Sequence, residues 1–458
     1  MATLAALQVF VGAAGAHLLA GGGLDAATAR PPVAAASPTP TPVPIVTAGP
    51  VLVTGPQGSV PAKGSLAARL TEALGDRALG PSVGAVVVDV AGGDRLFGSR
   101  ADSGLTPAST TKVVTAAAAL TSLGPDTRMA TRVVLGKGRS IVLVGGGDVM
   151  LAGPGSGKPG TYPRPATLAT LAARTAKALK EQKVTSVTLG YDDSLFSGPR
   201  TATGWKPGYI PEGSVAPVSA LTMDEGRTDP DRDARYADPA RSTAEAFRVL
   251  LGKYGIKAAR SVDRARAPSG AAEVARVESA PVYELVEHML TVSDNDLAEA
   301  LAHQVAIKEG RPGSFAGGAQ AVQGVLKKLG AAQGVVVYDG SGLSTRNRIT
   351  PAALARLVSL AASPGHPRLR SLLSGLPVAG FTGTLDNRYG RSDTRQGAGM
   401  VRAKTGTLNG VNTLTGLART AEGRLVAFAF MADEVADPAG AMAALDRLAT
   451  LVSRCGCS

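Results

Sequence analysis

Three short groups of residues in this 458-residue chain carry the side chains that nucleophilic acyl transfer needs. In "PASTTKVVTAAAAL", residues 107–120, Ser109 stands three positions before Lys112. Residues i and i+3 share a helix face with Cβ atoms roughly 5–6 Å apart, so the lysine amine reaches the serine hydroxyl. A hydroxyl becomes a good nucleophile only when a base takes its proton. An amine can do that only when neutral, so the site must lower the lysine pKa by desolvation or by a neighbouring positive charge. The competing reading is structural: Ser is among the best helix N-caps, and the alanine-rich run behind it is helical in pattern. One Ser-x-x-Lys does not decide between them.

Two further groups favour the nucleophile. Ser293-Asp294-Asn295 interrupts "PVYELVEHMLTVSDNDLAEALAHQVAIKEG", which reads as two helices, and Lys404-Thr405-Gly406-Thr407 lies in the strand-like "GMVRAKTGTLNGVNTLTG". Each pattern occurs once, in the order that active-site serine penicillin-recognising enzymes use. The flanking text "LTPASTTKVVTAAAALTSLGPD", "LVGGGDVML", "GYDDSLFSGP", "APVSALT", "YDGSGLS" with "NRITP", and "VRAKTGTLNGVNTLTG" narrows this further. It resembles the D-alanyl-D-alanine carboxypeptidase/endopeptidase family, the class C low-molecular-mass penicillin-binding proteins, from about residue 66 to the end. Ser109 and Ser293 lie 184 residues apart. That distance fits the family's habit of inserting domain material between the first two motifs, though the insert is shorter than in members carrying two inserted domains.

The resemblance implies an α+β fold, an α/β/α sandwich of the penicillin-binding/β-lactamase-like kind. An antiparallel sheet flanked by helices would be formed by residues 66–130 and 276–458, with an inserted α/β accessory domain at 131–275. It also implies roles. Ser109 attacks a D-Ala-D-Ala peptide bond while Lys112 takes its proton; Ser293 relays a proton to the leaving amine; Asn295 holds Lys112 and the substrate amide. Lys404 attracts the terminal carboxylate and by its charge helps keep Lys112 neutral, while Thr405, Gly406 and Thr407 form the substrate-binding strand. The backbone N–H groups of Ser109 and Thr407 form the oxyanion hole. Asp294 has a weaker case and reads as a solvated carboxylate. The implied partners are peptidoglycan peptides and β-lactams, with no cofactor and no metal. Two alternatives stay open: a β-lactamase-type hydrolase on the same fold, and a non-catalytic cell-wall-binding protein.

Local patterns supply the elements that position these groups. "LAARLTEAL" has helical spacing, "SVGAVVVDVAGGDRLFG" reads as a hairpin over a Gly-Gly turn, and Val113, Ala116, Ala117 and Leu120 form an apolar stripe behind Ser109. "TRVVLGKGRSIVLVGGGDVML", "PATLATLAARTAKALKEQ" and "VTSVTLGYDDSLF" alternate strand, helix and strand. The C-terminal part predicts three strands with turns at Asn409-Gly410 and Ala421-Glu422-Gly423, then a helix over 438–453. The strands near 84–98 and 400–432 should share one antiparallel sheet, a pairing that rests on the resemblance.

Composition narrows the setting. The chain is 44% hydrophobic, enough for a large core, and its formal charge is +12. It has no tight basic run and no basic helix with interleaved aromatics, which argues against nucleic acid; a polyanionic wall fits the charge. Residues 1–29 read as a signal peptide or membrane anchor, uncharged and apolar over 1–24, although the usual basic n-region is missing. Residues 30–65 read as a Pro/Thr-rich linker. The expectation is an extracytoplasmic protein, anchored or secreted, that touches the membrane only through its N-terminal segment. Cys455 and Cys457 suit either a local disulfide or free thiols.

Other motifs are set aside. "GPGSGKPG" is one residue short of a phosphate loop, with Pro159 where the hydroxyl belongs. "DPDRD" lacks the glycine and glutamate of a calcium loop, and "GGGD" reads as a tight turn. "YDGSGLS" reads either as a loop beside the cleft or as a structural turn. His17, His288, His303 and His366 are scattered, against a histidine triad or zinc hydrolase.

Overall fold

The computed structural model describes residues 58–61, 63–229 and 231–456. The expected leader, most of the linker and Cys457 lie outside the described residues. Helix α1 (Lys63–Leu74) precedes the hairpin β1 (Ser82–Asp89) and β2 (Arg95–Ser99), followed by α2 (Thr111–Ser122). Next come β3 (Ala130–Leu135), β4 (Ser140–Val144), α3 (Leu168–Glu181), β5 (Ser186–Asp192), α4 (Pro239–Lys253), β6 (Lys257–Ala258), β7 (Asp263–Arg264) and β8 (Glu273–Glu278). Helices α5 (Val282–Val292), α6 (Asn295–Lys308) and α7 (Phe315–Lys328) lead to the short strands β9 (Val335–Val336) and β10 (Arg348–Ile349). Helices α8 (Pro351–Ala362) and α9 (Arg370–Ser374), strands β11 (Val401–Leu408), β12 (Val411–Arg419) and β13 (Leu425–Asp433), and helix α10 (Pro438–Ser453) close the chain.

Five strands form one antiparallel sheet in the order β11-β12-β13-β1-β2, so the first hairpin joins the last three strands as expected. Alternation along β13 explains the layering, because successive side chains point to opposite faces. Phe428 and Phe430 enter a core with Leu66, Leu70, Leu445 and Leu448 of α1 and α10. Ala427, Ala429 and Met431 face a second core built from α2, α5, α6, α7 and α8. Large rings on one face and small side chains on the other let helices pack on both sides of a strand buried throughout its centre. Arg424 clamps the edge of this junction with two bonds to Asp89, at 2.6 and 2.7 Å.

A second sheet, in the order β6-β5-β4-β3-β8 with β7 also paired to β5, is formed wholly between Ala130 and Glu278. Its core joins Val133, Leu143 and Leu189 to Leu168 and Leu171 of α3 and Phe247 and Leu251 of α4.

Helix α2 departs from the expected stripe. Every residue from Thr111 to Leu120 is buried, so the helix has no solvent face until its last two residues. A helix apolar all round belongs in a core. The run of four alanines, 116–119, lets neighbouring helices approach from several sides. Among the described residues no helix is long and apolar enough to cross a membrane.

Candidate active site

Ser109 lies in a single 3₁₀ turn, Ala108–Thr110, immediately before α2, and no side chain caps that helix start. This answers the ambiguity in the sequence: Ser109 Oγ is not spent on a cap, and it lies 3.1 Å from Lys112 Nζ. The preceding Ala108 is held at φ +47°, a conformation that costs a non-glycine residue about 1–3 kcal/mol. Packing enforces it. Thr110 and Thr413 hydroxyls both donate to the Pro107 carbonyl, at 2.6 and 2.9 Å, which ties the turn to β12.

Lys112 is fully buried, and its amine has two further partners. It donates to Asn295 Oδ1 at 2.6 Å and to the Ser341 carbonyl at 2.8 Å. A neutral amine has two N–H bonds and one lone pair, so these two acceptors leave the lone pair for the Ser109 hydroxyl. Burial lowers the Lys112 pKa to about 8, against the pull of Glu299, Asp294, Asp339 and Asp296 in the opposite direction. The free site therefore gains base as pH rises. Acylation of Ser109 by a β-lactam, followed as a second-order rate constant, is expected to climb between pH 6 and 9 with a midpoint near 8. A flat profile over that range would exclude Lys112 as the titrating base.

The second motif sits at the expected helix break. Ser293 ends α5 in the left-handed region, φ +65°, and Asp294 begins α6 as its N-cap, accepting from Leu297 N–H at 2.9 Å. That kink turns Ser293 toward β11 and Asn295 toward Lys112. The Asn295 amide is fixed at both ends, because its Nδ2 donates to the Ser214 carbonyl at 2.8 Å while its Oδ1 accepts from Lys112. Asp294 is not the solvated carboxylate expected from sequence: its side chain is 3% exposed.

Lys404, on the edge strand β11, donates to Ser293 Oγ and to the Thr405 carbonyl, both at 2.9 Å. It too is fully buried, and burial followed by the charge of Lys112 holds its amine well below the ordinary lysine range. Burial is the chief cause of the shift at both amines, and the two positive charges disfavour one another. Thr405 Oγ1 donates to Thr384 Oγ1 at 2.8 Å, while Thr407 is exposed. At Gly406 a Cβ would lie 2.8 Å from the Pro107 carbonyl and 3.1 Å from Ser109 N, so β11 packs directly on the nucleophile turn.

The five expected catalytic residues thus fall into two hydrogen-bonded groups, Ser109–Lys112–Asn295 and Ser293–Lys404, set side by side by the helix break that carries Ser293 and Asn295. Sequence reasoning missed the groups that hold them. The ambiguous "YDGSGLS" loop supplies the Ser341 carbonyl, and it is knotted around Asp339, which accepts from Gly342 and Ser344 N–H, Asn347 Nδ2 and Trp205 Nε1. Glu299, fully buried on α6, accepts from Gly340 and Ser341 N–H at 2.9 and 2.8 Å. Replacing it with Ala would strand two buried donors, each costing about 1–3 kcal/mol. Glu299→Ala is expected to slow acylation roughly 10–100-fold as the loop and its carbonyl shift. A chromogenic cephalosporin reads this directly, and an unchanged rate would show that the loop is held without Glu299. The segment "GSVAPVSALT", part of which carried the family resemblance, has a contact role not foreseen: it docks beside the second motif through the Ser214 carbonyl and through Ala216 N–H, which donates to Asp296 Oδ1 at 2.7 Å.

The motifs set aside lie elsewhere. "GPGSGKPG" is a largely exposed loop, and in "DPDRD" Asp233 pairs with Arg227.

Known proteins resemble this chain over most of its length. The chain is 39% identical over 405 residues to a carboxypeptidase of Mycobacterium tuberculosis, covering 86% of this chain and 85% of that one. It is 38% identical over 404 residues to carboxypeptidase DacB of Mycolicibacterium smegmatis, covering 87% and 85%. The crystal structure of penicillin binding protein 4 from Haemophilus influenzae superposes with a TM-score of 0.70 over 84% of this chain and 99% of that one, at 23% identity. The same protein has also been solved with a β-lactam. The α+β architecture is accordingly that of the penicillin-binding proteins. Residues 66–237 and 231–452 match the D-Ala-D-Ala carboxypeptidase 3 (S13) family, and the chain belongs to that family.

Proposed function

We propose that this protein hydrolyses the terminal D-Ala-D-Ala bond of peptidoglycan stem peptides, and the equivalent D-amino-acid cross-link, through an acyl-enzyme on Ser109. The observation that carries the reading is the Ser109–Lys112 contact at 3.1 Å, with both remaining positions on the amine held by acceptors. The Ser109 Oγ–carbonyl carbon bond forms as the hydroxyl proton passes to Lys112. The C–N bond then breaks, and the departing amine takes the proton held by Lys112, relayed through Ser293, which returns Lys112 to its neutral form. Water attacks the resulting ester, its proton goes to Lys112, and Ser109 Oγ is released and reprotonated.

Substrate also sets the charge of the site. A terminal carboxylate beside Lys404 and Thr405 favours the charged form of Lys404, and a charged Lys404 disfavours charge on Lys112. Binding thereby moves the positive charge to the residue that holds the carboxylate and frees the one that needs a lone pair. Backbone N–H groups of Ser109 and Thr407 serve the oxyanion. Asn295 orients Lys112 and meets the substrate amide, and Gly406 allows β11 its close approach.

Residues 131–275 form an accessory domain in this reading. The expected export segment and spacer at 1–65, with the +12 charge, suit work in the cell envelope, where the substrate is found. The test is to incubate the full chain with benzylpenicillin, map the covalent mass, and measure D-alanine released from a pentapeptide ending in D-Ala-D-Ala. A stable adduct on Ser109 with release of D-alanine, both lost in Ser109→Ala, supports the proposal. Rapid penicillin turnover without an adduct favours a β-lactamase, and neither adduct nor turnover favours a wall-binding protein.

A further inference from the structure

Behind the second motif lies a group of side chains that the proposed reaction does not use. Glu225, His288 and Asp294 each bring one ligand-type atom to a common point, all three atoms lying within 4.8 Å of one another. They come from three separate places: the turn at Asp224–Gly226, the body of α5, and the N-cap of α6. His288 Nε2 and Asp294 Oδ2 are 3.9 Å apart, too long for a hydrogen bond.

Asp294 Oδ2 is the second observation. Its partner oxygen, Oδ1, caps Leu297, whereas Oδ2 is buried and has no hydrogen-bond partner. A buried carboxylate oxygen without a donor is costly, and here it points toward an imidazole nitrogen and another carboxylate. The turn bearing Glu225 is firmly set. Its backbone N–H donates to the Val149 carbonyl at 2.8 Å, its own carbonyl accepts from Arg235 at 3.2 Å, and Asp224 and Glu225 are held at φ +48° and +55°.

We propose that Glu225, His288 and Asp294 form a binding site for one divalent transition-metal ion of the zinc class. One imidazole nitrogen and two carboxylate oxygens are ligands of that class, and a water commonly completes a tetrahedral set. Bonds of about 2.1 Å put neighbouring ligand atoms roughly 3.4 Å apart, so the three groups would have to close inward from their present spacing on binding. Charge allows it. Arg227 and Arg235 approach Glu225 through Oε2, at 3.2 and 4.0 Å, but Arg227 is shared with Asp233 and Arg235 with Asp296, so four carboxylates, Asp294 included, face two guanidiniums. The ion would be structural rather than catalytic: by holding Asp294 it would fix the kink that aims Ser293 at Lys404 and Asn295 at Lys112.

The test uses the full chain without an affinity tag, stripped with a chelator and titrated with Zn²⁺ alone by calorimetry. One ion per chain, a rise in thermal midpoint on addition of Zn²⁺, and at least about 10-fold weaker binding in both His288→Gln and Glu225→Gln are expected. Co²⁺ substitution of the unmutated chain supplies a readout that does not depend on how the variants fold. Visible d–d bands without a thiolate charge-transfer band are expected, which separates this site from Cys455 and Cys457. No binding tighter than millimolar, binding unchanged in both variants, or a cysteine-type Co²⁺ spectrum would each overturn the proposal.

Discussion

Lys112→Arg is expected to lose acylation by benzylpenicillin by about 10²–10⁴-fold, the usual contribution of a positioned general base. The substitution keeps a cation in place and removes the base, because a guanidinium does not deprotonate in the accessible pH range. It therefore separates two roles that a change to alanine would confound. Were Lys112 present only to supply charge to the site, arginine would serve nearly as well. The site is closed, with the lysine fully buried against Asn295 and Ser341, so the thermal midpoint of the variant has to be measured beside the rate. A folded Lys112→Arg protein that acylates at the wild-type rate would remove Lys112 from the mechanism.

Gly406→Ala is the second large effect. A Cβ at this position would lie 2.2 Å from Thr413 Oγ1 and 2.8 Å from the Pro107 carbonyl. Those two atoms are bonded to each other and fix the turn that presents Ser109. The added methyl must push β11 off the turn or rotate the Thr413 hydroxyl away, and overpacking of this kind costs about 1–3 kcal/mol. A shift of about 1 Å in a reacting group can cost 10²-fold, so acylation is expected to fall by about that factor with only moderate loss of stability. Gly324→Ala is the matched control. It lies on α7 with nothing within 4 Å of the added carbon, and should be neutral or slightly stabilising. Equal behaviour of the two variants would show that the close approach at Gly406 carries no functional weight.

The site was legible wherever chemistry demands a side-chain type. Ser109 and Lys112 announce themselves by spacing, because a nucleophile and a base need those groups on one helix face, whereas Ser293, Asn295 and Lys404 were read through the order of the motifs and the family resemblance. The helix break at Ser293 was legible too, since a Ser-Asp-Asn run carries a cap signal between two apolar patterns. The supports were not. Ser341 acts through a backbone carbonyl that any residue would provide, and Glu299 looks like any other helical glutamate until the fold buries it under a loop. Asp294 was misjudged for the same reason, because burial is a property of what packs around a residue. The burial of Lys404 was equally hidden, since two amines share one dry pocket only once the strand and the helix have met. The union of β1 with β13 was foreseen only from the family resemblance, since local alternation marks a strand without naming its neighbour.

That union has a consequence for the order in which the protein becomes what it is. Asp89 and Arg424, which clamp its edge, are 335 residues apart in sequence, and β13 lies between β12 and β1 in the sheet. Until the final strands exist, β1 has only β2 as a strand partner, and a two-stranded pair is marginal in water without more strands or helices to cover it. Lys404, Gly406 and the Thr413 hydroxyl all arrive with that last segment. A growing chain therefore emerges with its serine and lysine already made but with the turn unbraced and the cleft unwalled. Chemical competence is acquired at once and at the end, when a long loop closes, rather than in proportion to the length synthesised. The site is thus incomplete until the last strands have folded, by topology alone.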